Sequence, residues 1–164
     1  MKKRHGFTLV ELIVVLAIIG VLAALLVPAM LGYVRRSKIS SANDAAKSIQ
    51  KAINSACIDI MESGENLPDG SYTHLSGTVK LLPGYVTKDD IFGRKIYSYM
   101  ESDKNAEWEA QIEDYTCVAV AACIDGAYVG TSPAGVVTED NYETKYSREK
   151  LKNALEAAVA TVNN

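Results

Sequence analysis

Between Leu12 and Val34 the chain runs for 23 residues without a charged side chain. As a helix rising about 1.5 Å per residue, that run is roughly 34 Å long, enough to cross a hydrocarbon core of about 30 Å. Basic side chains flank it: Lys2, Lys3 and Arg4 before, Arg35, Arg36 and Lys38 after. One carboxylate, Glu11, stands at its mouth. A carboxylate at the edge of a membrane helix is costly to bury unless something neutralises it, so its presence points to a function.

Other residues punctuate the same segment. The basic leader ends in Gly6, Phe7 follows directly, and Glu11 is the fifth residue past that junction. Gly20 and Pro28, both helix-weakening, lie inside the apolar run. With this combination, residues 2–38 resemble the N-terminus of type IV pilins and the related pseudopilins. The resemblance stops short of the last hundred residues. It implies an α+β fold, the type IV pilin fold: a long N-terminal bimodal helix packed against a small antiparallel sheet in a head that ends in a C-terminal helix. It also implies that a membrane aspartyl peptidase cuts between Gly6 and Phe7, and that the same enzyme methylates the new amine of Phe7. Glu11 and Leu12 would then serve filament assembly with Phe7, the carboxylate attracting the Phe7 amine of a neighbouring subunit. An amine titrating near 8 and a carboxylate near 4 are both charged at neutral pH, and in a filament core their attraction is large. Gly20 and Pro28 would mark a kink or a stretch of helix that melts on assembly. The partners implied are further copies of the chain in a helical homopolymer, the prepilin peptidase/methyltransferase, an assembly platform with its ATPase, and the membrane before assembly.

Two plainer readings compete for the same residues. A secretory signal peptide fits the basic start, and Val27-Pro28-Ala29 is a passable cleavage site. Against it, Glu11 comes early, and the apolar run continues past the supposed cut to Val34. A plain single-span anchor needs neither Glu11 nor the Gly6-Phe7 junction. In either membrane reading, Lys2, Lys3 and Arg4 keep the N-terminus cytoplasmic by the positive-inside rule. Arg35 and Arg36 then lie outside, against that rule, where anionic headgroups are available to them.

Residues 1–6 carry three of the 17 Lys+Arg and none of the 20 acids, so the remainder stands at 14 against 20, a net of −6. An acidic outer part with no basic stripe does not suggest nucleic-acid binding. The chain reads as a leader (1–6), a membrane or filament-core half-helix (7–35), an amphipathic half-helix (36–63) and a globular head (64–164).

The helical pattern does not stop at Val34. Ile39, Ala42, Ala46, Ile49, Ile53, Ala56 and Ile60 are spaced alternately by three and four, one face of a helix, with Cys57 on the same side. The helix predicted from this runs from about Thr8 to Met61, and Gly64 and Pro68 stop it. Residues 64–93 read as a loop-rich connector with one short element near Val79–Leu82. Alternation predicts strands over Arg94–Met100 and around Trp108, Ala110 and Ile112, a turn at 102–105, a continuous strand over Thr116–Ile124, and a return from Ala127 to Thr131 after the Asp125-Gly126 turn. The expected product is an antiparallel meander of three or four strands. On the 116–124 strand, Cys117, Ala119, Ala121 and Cys123 form a small-residue face expected to lie against Ile49–Ile60. A last helix follows Ser147, its expected N-cap, with Leu151, Ala154, Leu155, Ala158, Val159 and Val162 on one face.

Nothing in the sequence suggests an enzyme or a cofactor. His74, the single histidine after the leader, sits in a Gly-rich loop and reads as solvent-exposed. Cys57, Cys117 and Cys123 match no zinc spacing. If 117 and 123 share a strand face they lie about 20 Å apart and cannot bond, which leaves Cys57 with either as the one intrachain bridge; three buried thiols are the simpler expectation. Many pilins close a loop near the C-terminus with a disulfide, but no cysteine follows Cys123. Asp89-Asp90 and Glu139-Asp140 lack the alternating oxygens of a calcium loop. The reading is a filament subunit: a single-pass precursor in the cytoplasmic membrane, then part of a pilus at the cell surface. The alternatives are a pseudopilin of a secretion or DNA-uptake system and a membrane-tethered binding module that never polymerises.

Overall fold

A computed structural model describes residues 8–74, 91–100 and 106–163. One helix, α1, runs from Leu9 to Glu62, and the chain divides into two compact units, Met1–Arg35 and Arg36–Asn164. In the first unit the helix is apolar all round, and every large apolar side chain from Leu9 to Val34 is exposed. It is long and apolar enough to cross a membrane. Pro28 lies inside it without ending it, as membrane helices allow.

In the second unit α1 becomes one-sided. The expected stripe is buried, and Ala45 and Ala52 widen it. The helix ends in a Schellman motif: Gly64 has φ +72°, its N–H donates to Met61 O, and the Glu65 N–H donates to Ile60 O. Only glycine takes that conformation at no steric cost.

Four strands follow: β1 (Gly70–His74), β2 (Glu107–Glu113), β3 (Thr116–Ile124) and β4 (Tyr128–Ser132), paired antiparallel in that order. The β2–β3 turn holds Asp114 and Tyr115 at φ 46° and 56°, the β3–β4 turn Asp125 and Gly126 at 53° and 67°. Two positive-φ residues in succession give the turn whose twist matches a hairpin. At the first turn, the Asp114 N–H donates to Asp69 Oδ1 and the Tyr115 hydroxyl to Glu65 O, which offsets the strain.

Five expectations about the head are corrected. Residues 94–100 form no strand: α2 spans Ile91–Tyr99, because burial falls at Phe92, Ile96 and Met100, a period of four rather than two. The connector holds β1, whose Tyr72 meets Phe92 edge-on at 5.5 Å. The element expected near 79–82, the turn at 102–105 and the Asp89-Asp90 pair lie outside the described residues.

The third correction concerns β3. Gln111 pairs with Ala119 but Ile112 with Cys117, so Val118 is the extra residue of a bulge. Alternation restarts there. Cys117 joins Val120 and Ala122, with Trp108, Ala110 and Ile112, in the core under α1 and α2. Ala119, Ala121 and Cys123 face the other way. There they pack on the C-terminal helix α3 (Leu151–Val162), through Leu151, Ala154, Leu155 and Ala158. The small face of β3 therefore lies under α3, not under Ile49–Ile60. Cys117 and Cys123 sit on opposite faces, and all three thiols are buried and free, so the bridge left open to Cys57 is not formed.

The bulge exposes backbone groups that α1 satisfies. Asn54 Oδ1 accepts the Cys117 N–H (2.7 Å), and Gln50 Nε2 donates to Cys117 O (2.9 Å) while its Oε1 accepts the Ser132 hydroxyl (2.6 Å). Asn43 Oδ1 accepts the Thr131 N–H on β4 (2.8 Å). A buried backbone group left unpaired costs about 1–3 kcal/mol, so this amide row carries much of the helix–sheet fit. The approach is close: a Cβ on Gly130 would stand 2.2 Å from the Ala42 carbonyl carbon.

His74 is half-buried rather than solvent-exposed. Its Nε2 lies 2.6 Å from the Tyr97 hydroxyl and its ring 5.8 Å from Trp108. Ser147 precedes a 3₁₀ turn, Arg148–Lys150, instead of capping α3 directly, and its hydroxyl makes no cap bond. What anchors this start is a fork: Arg148 Nε and Nη2 each reach a Glu107 oxygen at 2.6 Å, with the Glu107 side chain almost fully buried.

Candidate assembly segment at the N-terminus

The first described residue, Thr8, caps α1. Its N–H and hydroxyl both donate to Glu11 Oε2, at 2.8 and 2.7 Å, and the Glu11 N–H returns a bond to Thr8 Oγ1 at 3.3 Å. This is a capping box, in which residues three apart satisfy each other's orphan donors. It gives Glu11 a local role: one carboxylate oxygen takes two donors, and Oε1 has no hydrogen bond among the described residues. The sequence signal was there in Thr-x-x-Glu, but reading Glu11 only as a membrane-edge charge passed over Thr8.

Around this cap lie Leu9, Leu12, Ile13 and Leu16, all more than half exposed. That is the surface a lipid or a bundle of like helices would cover. Gly20 has nothing within 4 Å of where a Cβ would stand, so no packing in this chain demands a glycine there. Gly6 and Phe7 lie outside the described residues.

Beyond Val34 two of the three flanking cations are already paired. Arg36 Nε meets Glu139 Oε1 at 2.6 Å, and Lys38 Nζ meets Asp125 Oδ2 at 3.1 Å. Burial pushes the thiols of Cys57 and Cys123 up to about 11, and that of Cys117 higher still. Such thiols make poor nucleophiles at neutral pH. Among the described residues no group of three His, Cys, Asp or Glu is placed to hold a metal ion. Sequence reading missed the residues that join helix to sheet. Asn43, Gln50 and Asn54 form a helical row beside the apolar stripe, a spacing that marks them only once a partner surface is known.

A family model described as the prokaryotic N-terminal methylation motif matches residues 1–27. The type IV major fimbrial protein FimA of Dichelobacter nodosus is 40% identical over 78 residues, 43% of this chain and 50% of that protein. A fimbrial protein of Moraxella nonliquefaciens is 35% identical over 91 residues, 56% of each. These matches support a type IV pilin family. The chain also resembles the fimbrial protein EcpC of Eikenella corrodens, 49% identical over 53 residues, 32% of this chain and 35% of that one. The chain spans about half the length of the curated relatives it matches. No solved structure matches it. The long N-terminal helix, four-stranded antiparallel sheet and C-terminal helix agree with the type IV pilin α+β fold.

Proposed function

We propose that this protein is a pilin, the structural subunit of a surface filament, and has no catalytic role. It enters the cytoplasmic membrane as a single-pass precursor with its N-terminus inside. A prepilin peptidase removes residues 1–6, Phe7 is N-methylated, and an ATPase-driven platform adds the subunit to a helical homopolymer. The observation that carries this reading is a helix apolar on every side whose first turn holds one carboxylate, with an oxygen free among the described residues. In a lipid or protein surround such a charge needs a cation, and the Phe7 amine of a neighbour supplies one. Phe7, Leu9, Leu12, Ile13 and Leu16 replace lipid contacts with subunit contacts. The helix between Gly20 and Pro28 loosens as the subunit leaves the membrane. The fimbrial names of the relatives favour a pilus over a secretion pseudopilus.

The test is Glu11→Ala in cells that depend on this subunit. Sheared filaments should fall at least tenfold while the processed chain accumulates in the membrane. Normal filament yield would leave a tethered, non-polymerising module as the better account.

A further inference from the structure

The second unit carries a polar groove of about 580 Å³ that assembly leaves unexplained. Arg36, Ile39, Ser40 and Asn43 of α1 line one wall, and Val137, Thr138, Glu139 and Asp140 of the loop after β4 line the other. Its polar groups are only partly used. Arg36 commits Nε to Glu139, and its side chain stays 80% exposed. Asn43 commits Oδ1 to Thr131. The Ser40 and Thr138 hydroxyls and the exposed Asp140 carboxylate have no partner among the described residues. Donors suited to an anion thus share one groove with an acid suited to a cation.

The place of the groove along the chain narrows the ligand. Arg36 and Ser40 follow Val34, the end of the uncharged run, by two and six positions. At about 1.5 Å per helical residue they lie about 3 and 9 Å past that end, within and just outside the headgroup layer of roughly 5–7 Å that borders the hydrocarbon. We propose that this groove binds the headgroup of an aminophospholipid while the subunit waits in the membrane. The phosphate sits on Arg36 and Ser40, and the primary ammonium sits on Asp140 with Glu139. Arginine favours phosphate through its planar fork of donors, and charge-assisted bonds to both ends of a zwitterion select it over a headgroup with one charge. The proposal rests on the reading of residues 7–35 as a membrane helix.

The test uses the full chain in phosphatidylcholine nanodiscs, alone or doped with phosphatidylethanolamine or phosphatidylglycerol. Native mass spectrometry counts the lipid retained on release. Wild type should keep one phosphatidylethanolamine. Asp140→Asn and Ser40→Ala should each cut retention at least fivefold, and Lys152→Met, outside the groove, should leave it unchanged. Phosphatidylcholine should not be retained, since its methylated ammonium has no N–H for the carboxylates. Equal retention of the choline lipid, preference for phosphatidylglycerol, or undiminished retention by Asp140→Asn would overturn the proposal. So would full displacement by soluble glycerophosphoethanolamine, which would make the ligand a free phosphodiester. Failure of the chain to enter nanodiscs would sink the membrane reading itself; entry without retained lipid would sink only this proposal.

Discussion

At the scale of single residues, Thr8 and Glu11 carry the most weight. A lone carboxylate beside 23 uncharged residues was legible as a charge out of place. The hydroxyl that steadies it was not, because a threonine in an apolar run looks like one more tolerated side chain. With Thr8 donating twice to Oε2, the carboxylate is held in one orientation before any neighbour arrives. Thr8→Val keeps the shape and removes the hydroxyl bonds. Losing an N-cap typically costs about 1 kcal/mol, so filament yield should drop several-fold, less than for Glu11→Ala, and Thr8→Ser should restore it. Quantifying sheared filaments from the three variants checks this; a Thr8→Val yield equal to wild type would mean that the cap does not position Glu11.

At the scale of elements, α1 was readable from Thr8 to its stop because its apolar spacing and Gly64 agree with each other. β2 was readable because buried residues alternate along it from Trp108, and β3 because it is a continuous apolar run. Reading failed where one residue broke the period. Val118 flips the start of β3, and no local signal marks it, since the bulge is completed by Asn54 and Gln50 from more than sixty residues away. α2 was mistaken for a strand because Tyr97 and Tyr99 mimic alternation while Phe92, Ile96 and Met100 do the packing. Two outcomes belong here. Gly130→Ala puts a methyl onto the Ala42 backbone, which cannot rotate away. Overpacking costs about 1–3 kcal/mol, and this variant should sit at or above the upper end in denaturant unfolding of the full chain in detergent, followed by fluorescence of the buried Trp108. The second concerns pH. Cys57 titrates near 11 when folded and near 9 in its ordinary state. The folded state therefore holds its proton where the unfolded chain has lost it, and stability falls as pH rises from 9 to 11. Two units correspond to at most about 2.7 kcal/mol. Cys57→Ala should lessen that slope, Cys117 and Cys123 keeping their own share, in the same unfolding assay run across pH 8–11, and an unchanged slope would assign the loss to other groups.

For the whole molecule, the two units differ in what their surfaces offer. Its first unit presents apolar side chains on every side, and its second buries two cores on either side of a sheet. The apolar helix of the first unit was readable in the sequence, because a run of 23 uncharged residues leaves few alternatives. The head's layer order was not, since its strands pair only with their neighbours while its faces are chosen by a bulge and by two helices distant in sequence. The account as a whole depends on the chain losing its basic leader. Mass spectrometry of the N-terminal peptide, taken from protein sheared off the cell surface, tests that directly. The account predicts a chain that begins at Phe7 and carries one added methyl group. A chain that still begins at Met1, or one that begins at Met30, would contradict it.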